Sequence, residues 1–476
     1  MNYNAEELAT SATNKVSKVS NQQGIILKLF LIFSKIDTEK ISLIILVLLS
    51  IQVLMGTFLN ALSHSDLIAL YFGKTVIIRF LGYIGIVIGL IDIFCKSFVY
   101  RKQTILGTFV KRPWNGLFVI LLFWEFLGIV IAKNKNLAFF GTTYRYEGYL
   151  SYLAYVGIFA CAAQIKSEKY RKILLFVTSI TSTLLACLTI MKEIAKCSFI
   201  MDRNGQVGAY SATFINSNHY GYYLCVSMIV IAGLFLIVKK TSLKVLLGGC
   251  FTINLFVLLY NKSLGPYIAL FIGLIVLFVF SWIRDGFKKS WPVLILVGIF
   301  IVASVLINGH KMVNDLNLFA KQTGNLINVI SSNDSSSEEI QQAVNKIGSS
   351  RGALWNKTIQ IISEHPIFGV GTDNVQLYIN DQIPHNEYLQ ICANNGIPGV
   401  LLYVSGLLTI FIYAIKNLKR ISSGVLVSGM AVLVYCLSAF VGISIPIATY
   451  QLFFFLGLLE GWFKNKDEEK MINTTL

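Results

Sequence analysis

The run ISLIILVLLSIQVLMGTFLNAL at 41–62 contains no charged residue. A helix rises about 1.5 Å per residue, so a run of this length reaches across the ~30 Å hydrocarbon core of a bilayer. Working outward from it, comparable runs recur near 75–95, 113–132, 148–165, 173–191, 220–238, 245–260, 264–283, 291–308, 397–415, 421–441 and 445–463. Over the 476 residues, 55% are AVILMFWYC and only 13% are charged. Soluble domains carry roughly 25% charge. A soluble globular protein is therefore excluded, and the abundance of Phe and Tyr with few Pro excludes a disordered or collagenous chain. The expected fold is all-α, a polytopic transmembrane bundle of about 12 spans.

The net charge of +16 would suggest nucleic acid in a soluble chain. Here its distribution sets topology. With the N-terminus inside, roughly two thirds of the Lys and Arg fall on inner segments, as the retention of basic residues on the cytoplasmic side requires. The surplus charge is thus a membrane-orientation signal, and no nucleic-acid partner is expected. The polar first 24 residues have no signal-peptide pattern, so the first apolar run is expected to act as its own insertion signal. Residues 25–36, IILKLFLIFSKI, are too short to span and are expected to form an interfacial helix. The resulting division is a cytoplasmic segment at 1–40, nine spans within 41–308, a large outer loop at 309–396, three spans within 397–463 and a cytoplasmic tail at 464–476. The cysteines form no CxxC pattern, and the five His are too scattered for a metal site.

A structureless connection as long as 309–396 is uncommon unless it is functional or disordered. Its middle, SSNDSSSEE at 331–339, is polar and of low complexity. Its second half has more pattern. In SSRGALWNKTIQIISEHP, starting at Ser350, apolar residues at 354, 355, 359, 361 and 362 follow helical spacing, with Ser350 as cap and Pro366 as stop. This predicts a helix on the membrane surface with Arg351 in its first turn. A Gly-punctuated turn, PIFGVGTDN, follows, and PHNEYLQICANNGIPGVLLYV then opens a helix at His385 that leads into the next span. One Arg and one His are thereby brought to the outer surface.

The spaced set Arg351, Trp355, His365, Pro366, Gly369, Gly371, His385, Asn386, Leu389, Gln390, Gly396 and Gly399 resembles the signature of the O-antigen ligase and O-antigen polymerase superfamily of bacterial membrane glycosyltransferases. Weaker echoes lie in GTTYRYEGYLSYL at 141–153 and ATFINSNHYGYYL at 212–224. One departure is KSLGPY at 262–267, where Leu264 stands in place of an Arg that many relatives carry, so that either Lys262 supplies the charge or the site works with fewer cations.

The resemblance implies a class C glycosyltransferase-like fold in a bacterial plasma membrane, to which the charge distribution adds that both termini are cytoplasmic. It also implies transfer or polymerisation of glycan from an undecaprenyl diphosphate carrier to a glycan or lipid acceptor, without metal, nucleotide or other cofactor. Such a reaction needs a base near the acceptor hydroxyl and cations near the departing diphosphate. His385 at a helix N-terminus suits the base, because the positive end of the helix dipole disfavours imidazolium. Arg351 and Arg145 suit the diphosphate, since a guanidinium donates paired hydrogen bonds.

Plainer roles stand beside these. Arg351 can anchor its helix to lipid phosphate, and Arg145, among Tyr144, Tyr146 and Tyr149, can belong to an interfacial aromatic belt. Glu147 fits either a salt bridge or a sugar hydroxyl. Asn218 and His219 can be headgroup contacts or helix caps, and Asn386 is a further candidate contact. Glu125 lies near mid-membrane, where a carboxylate is functional by default. Asp92 and Glu460 fall near inner ends, within reach of water. FGKT at 72–75 lacks the first Gly of a P-loop, and no D-x-D pair is present. The rival reading from another class is a transporter of polysaccharide or lipid-linked oligosaccharide. A transporter would place charges along a path through both leaflets, whereas these polar residues gather at one face.

Overall fold

The computed structural model describes residues 36–62, 67–94, 105–143, 145–195, 210–214, 216–331, 351–380 and 382–475, with single positions at 33, 339, 342 and 345. The expected interfacial helix at 25–36 and the polar run at 331–339 lie almost wholly outside the described residues, as does Ser350.

The chain is a polytopic helical membrane protein, and no strand occurs among the described residues. Its helices are α1 (Thr38–Leu62), α2 (Leu67–Phe94), α3 (Ile105–Lys111), α4 (Pro113–Ile131), α5 (Lys135–Phe140), α6 (Tyr149–Ala162), α7 (Glu168–Ala195) and α8 (Ser217–Ile237). There follow α9 (Thr241–Asn261), α10 (Leu264–Asp285), α11 (Phe287–Ser290), α12 (Pro292–Ser331), α13 (Arg351–Glu364), α14 (Glu387–Lys416), α15 (Ser423–Ala439) and α16 (Pro446–Thr475). Among the described residues, seven helices are long and apolar enough to cross a membrane: the greater part of α2 and of α7, with α4, α8, α9, α10 and α14. The other apolar runs of the sequence fall on α1, α6, the first half of α12, α15 and α16.

Lipid tails are as apolar as leucine, so helix association here depends on close packing rather than on hydrophobic transfer. Small residues provide it. Gly82, Gly85 and Gly89 of α2 lie against Ala154, Gly157 and Ala160 of α6, so closely that a Cβ on Gly85 or Gly157 would run into the facing backbone carbonyl. Gly233 of α8 and Gly273 of α10 likewise receive Val427 and Val434 of α15. The most enclosed span is α8, 89% of whose apolar window is buried. By contrast α4 turns Val119, Phe123 and Val130 outward, each about half exposed or more, as a lipid-facing helix should.

Asp92 and Glu460 do not reach water. Both are buried and ion-paired: Lys464 holds Asp92, and Arg112 donates to Glu460 at 2.7 Å with support from Trp114 and Asn115. Each acid finds its cation on a helix or helix end distant in the chain, which hydropathy alone does not reveal. A second difference concerns the long connection at 309–396. Helix α12 runs on to Ser331, because NDLNLFAKQTGNLINVI keeps helically spaced apolar residues, at Leu316, Phe319, Ala320, Leu326, Ile327 and Ile330, despite several weak helix formers. Beyond it, α13 and the turn after it form a small core of their own, where Ile361, Val370, Val375, Ile379 and Ile383 meet Ala393 and Ile443. That core fixes the outer segment on the bundle.

Candidate active site

The site is organised by a break in α14. Asn386 caps this helix, its Oδ1 accepting from Leu389 N at 3.1 Å, so the helix opens at Glu387 with His385 just ahead of the cap. At Gly396 (φ +71) the backbone leaves helical geometry. The break strands the carbonyls of the preceding turn, and the segment after α13 satisfies them. Val370 N donates to Ala393 O at 2.9 Å and Gly371 N to Asn394 O at 2.8 Å, while Ile397 N donates back to Pro366 O at 2.8 Å. Gly369 (φ +67) and Gly371 (φ +90) are in the left-handed region, and a Cβ on them would meet Asn394 or Ala132 at 2.5 Å. The HP-x-x-G-x-G pattern is therefore the socket into which the broken helix fits.

That socket delivers Asp373 (φ +54), which is fully buried. Its Oδ2 accepts from Thr142 N and Oγ1 at 2.7 and 3.0 Å, and its Oδ1 accepts from Arg145 Nη2 and Nε at 2.8 and 3.2 Å. Arg79 braces the same strip of chain, donating through Nη2 to the carbonyls of Phe140 and Tyr146 and through Nε to Ser151. Arg145 is thus held by a built frame rather than left to snorkel.

His385 is half-buried, with φ +48, and Trp355 Nε1 donates to Pro384 O at 2.7 Å, fixing the residue before it to α13. Burial lowers its imidazole below the ordinary value, and the nearby charges of Arg351 and Arg145 lower it further. It therefore stands neutral at pH 7. Arg351 opens α13 half-buried, with one long contact of 3.4 Å to Val441 O and no carboxylate within 4 Å among the described residues. His219, buried in the first turn of α8, lies near enough to sense both His385 and Arg145. Four candidates from four separate segments, Arg145, His219, Arg351 and His385, are thereby brought together.

The remaining candidates divide. Glu147 is fully buried and makes no salt bridge among the described residues; Tyr155 donates to it at 2.7 Å and Ser444 occupies its other oxygen. Burial pushes its carboxyl above the usual carboxylate range, against those two hydrogen bonds. Asn386 spends its Oδ1 on the helix cap. Asn218 lies in the first turn of α8, where Asn216 is the cap. Lys262 is exposed at the C-terminus of α9 with φ +61. Beside it, Ser263 packs on Gly221 near the start of α8, so Lys262 is at the same end of the bundle as His219. His365 is exposed, its ring edge-on to Tyr378. Glu125 accepts from Asn395 Nδ2 at 3.1 Å, beside the break in α14, and its second oxygen has no partner among the described residues. Among the described residues no three His, Cys, Asp or Glu side chains are grouped to hold a metal ion.

Sequence reasoning missed Asp373 and also Glu387, which is buried and accepts from Tyr403 at 2.7 Å and Tyr435 at 2.9 Å. Tyr435 lies 2.9 Å from Thr449, and Thr449 lies 3.2 Å from Ser444, so hydroxyls connect Glu387 to Glu147 beneath the site. An acid in the first turn of a helix ordinarily signals only a dipole partner, which hid Glu387 in the sequence.

Against known proteins, residues 249–404 match the family model described as O-antigen ligase, a stretch that contains Arg351, Asp373, His385 and Glu387 but neither Arg145 nor His219. Comparison with curated proteins gave no match. The broken outer helix and the capped start carrying His385 both lie within the matched stretch, so it is over residues 249–404 that the chain is similar to the O-antigen ligase family.

Proposed function

We propose that this chain is a glycosyltransferase of surface-polysaccharide assembly that transfers or polymerises glycan carried on undecaprenyl diphosphate, on the outer face of a bacterial plasma membrane. The observation that carries this reading is the neutral His385 at a helix start with Arg351 and Arg145 close by. His385 takes the proton of the acceptor hydroxyl. The acceptor oxygen then bonds to the anomeric carbon as the bond from that carbon to the diphosphate oxygen breaks, and the electron pair leaves with the lipid diphosphate. Arg351 and Arg145 stabilise the charge developing on that leaving group, and His385 returns its proton to water. All of this chemistry is within reach of side chains at one end of the bundle, which favours an enzyme over a transporter with a charged path through the membrane.

The test is the profile of lipid-linked glycan in cells carrying His385→Ala beside wild type, with equal protein in the membrane. A polymerase leaves single repeats on the carrier when the base is lost, and a ligase leaves long chains. An unchanged profile in a strain that depends on this protein would remove His385 from the chemistry.

A further inference from the structure

The two arginines at the site are held in opposite electrostatic states. Arg145 is buried with its side chain about one tenth exposed and is paired edge-on with the fully buried Asp373. The pairing uses Nε and Nη2. Nη1 has no acceptor among the described residues, so two N–H groups remain for a ligand. Arg351 has no carboxylate partner among the described residues and only a long contact to a carbonyl. We propose that Asp373 is a positioning residue that neutralises and aims Arg145 as a directional hydrogen-bond donor, leaving Arg351 as the cation that supplies the charge for diphosphate binding. The inference deepens the glycosyltransfer reading and rests on it.

The geometry gives Asp373 no other task. Its second oxygen is taken by the backbone and hydroxyl of Thr142, the chain segment that carries Arg145, so the carboxylate ties the arginine and its loop to one socket. A guanidinium whose Nε and Nη2 both donate to one buried carboxylate oxygen keeps its charge, but the carboxylate offsets most of its field while the direction of its free N–H bonds is kept. An unpaired guanidinium keeps its full field, which salt screens over about 10 Å at 0.1 M. The two roles are therefore separable by ionic strength.

The experiment measures binding of farnesyl diphosphate to the full-length protein in lipid nanodiscs over a range of NaCl concentrations, with farnesol as the uncharged control. Wild type should bind the diphosphate more weakly as salt rises. Arg351→Gln should weaken binding about tenfold at low salt, equivalent to about 1.4 kcal/mol, and lose most of the salt dependence. Arg351→Lys should keep that dependence. Asp373→Asn should bind as tightly as wild type or more tightly, with a steeper salt dependence, because it releases the charge of Arg145. A residue that merely holds the fold together would weaken binding when changed and leave the slope alone.

Arg145→Lys provides a second line if Asp373→Asn does not reach the membrane. Its slope should match wild type while affinity falls severalfold, since an ammonium paired with Asp373 leaves no directed fork. Equal loss of slope in the Arg351 and Arg145 variants, or weaker binding with an unchanged slope in Asp373→Asn, overturns the division. Wild type that binds farnesol and the diphosphate alike overturns the glycosyltransfer reading, and the division with it.

Discussion

At the scale of single residues, the proposed chemistry turns on the protonation of His385. Burial and the charges of Arg351 and Arg145 all disfavour imidazolium, so its folded pKa lies below the ordinary 6.5. A base must be neutral to act. The turnover rate should therefore hold steady as pH falls from neutrality and drop only through a midpoint below 6.5. Removing a cation relaxes the depression, so Arg351→Gln should move that midpoint upward even as it slows the reaction. The measurement is the maximal rate of glycan transfer in isolated membranes against pH, for both proteins. A wild-type midpoint above 6.5, or a downward shift in the variant, contradicts this account.

At the scale of elements, the break in α14 sets where the site can be. Gly396 has φ +71, and a Cβ there would run into the carbonyl of Ile367. Gly396→Ala should cost about 1–3 kcal/mol from backbone strain alone, more with the overlap, and should loosen the socket that presents Asp373. Gly249 of α9 has nothing within 4 Å of the same position, so Gly249→Ala should be neutral or stabilising by up to about 1 kcal/mol. Thermal unfolding of the two variants in detergent provides the comparison. Equal midpoints would mean that the break carries no structural load.

This element also marks how far the sequence can be read. Hydropathy locates the helices because lipid demands uninterrupted apolar length, and the motif spacing singles out His385 and Arg351 because they belong to one local pattern. In the sequence the Gly396 break reads as the beginning of a span: Gly396 with Pro398 two residues on is a helix-stop signal, but the apolar run that starts directly after it makes it read as a boundary between a loop helix and a span rather than a left-handed turn inside one element. Asp373 and Arg145 are 228 residues apart, and Glu387 meets Tyr435 from another helix, so neither partnership leaves a local trace. The pairing of Asp92 and Glu460 is hidden for the same reason: their cations arrive from far along the chain.

At the scale of the whole molecule, the two ends of the bundle carry different kinds of charge. One end holds closed pairs, Arg112 with Glu460 and Lys464 with Asp92, buried within the protein. The other holds one closed pair, Arg145 with Asp373, and beside it Arg351 and Lys262 without carboxylates among the described residues. Basic residues are denser on the connections at the first end, and the proposed function, with the positive-inside bias, has that end in the cytoplasm and α13 outside. Lys289 in α11 and Lys357 in α13 are exposed on the two opposite sides that this orientation defines. Cysteines introduced at each should then respond oppositely to a membrane-impermeant maleimide added to intact cells, measured against the parent protein. Lys357→Cys should label without permeabilisation, and Lys289→Cys only after it. The reverse result would turn the molecule over, place His385 in the cytoplasm and remove it from a glycan carried on the outer leaflet.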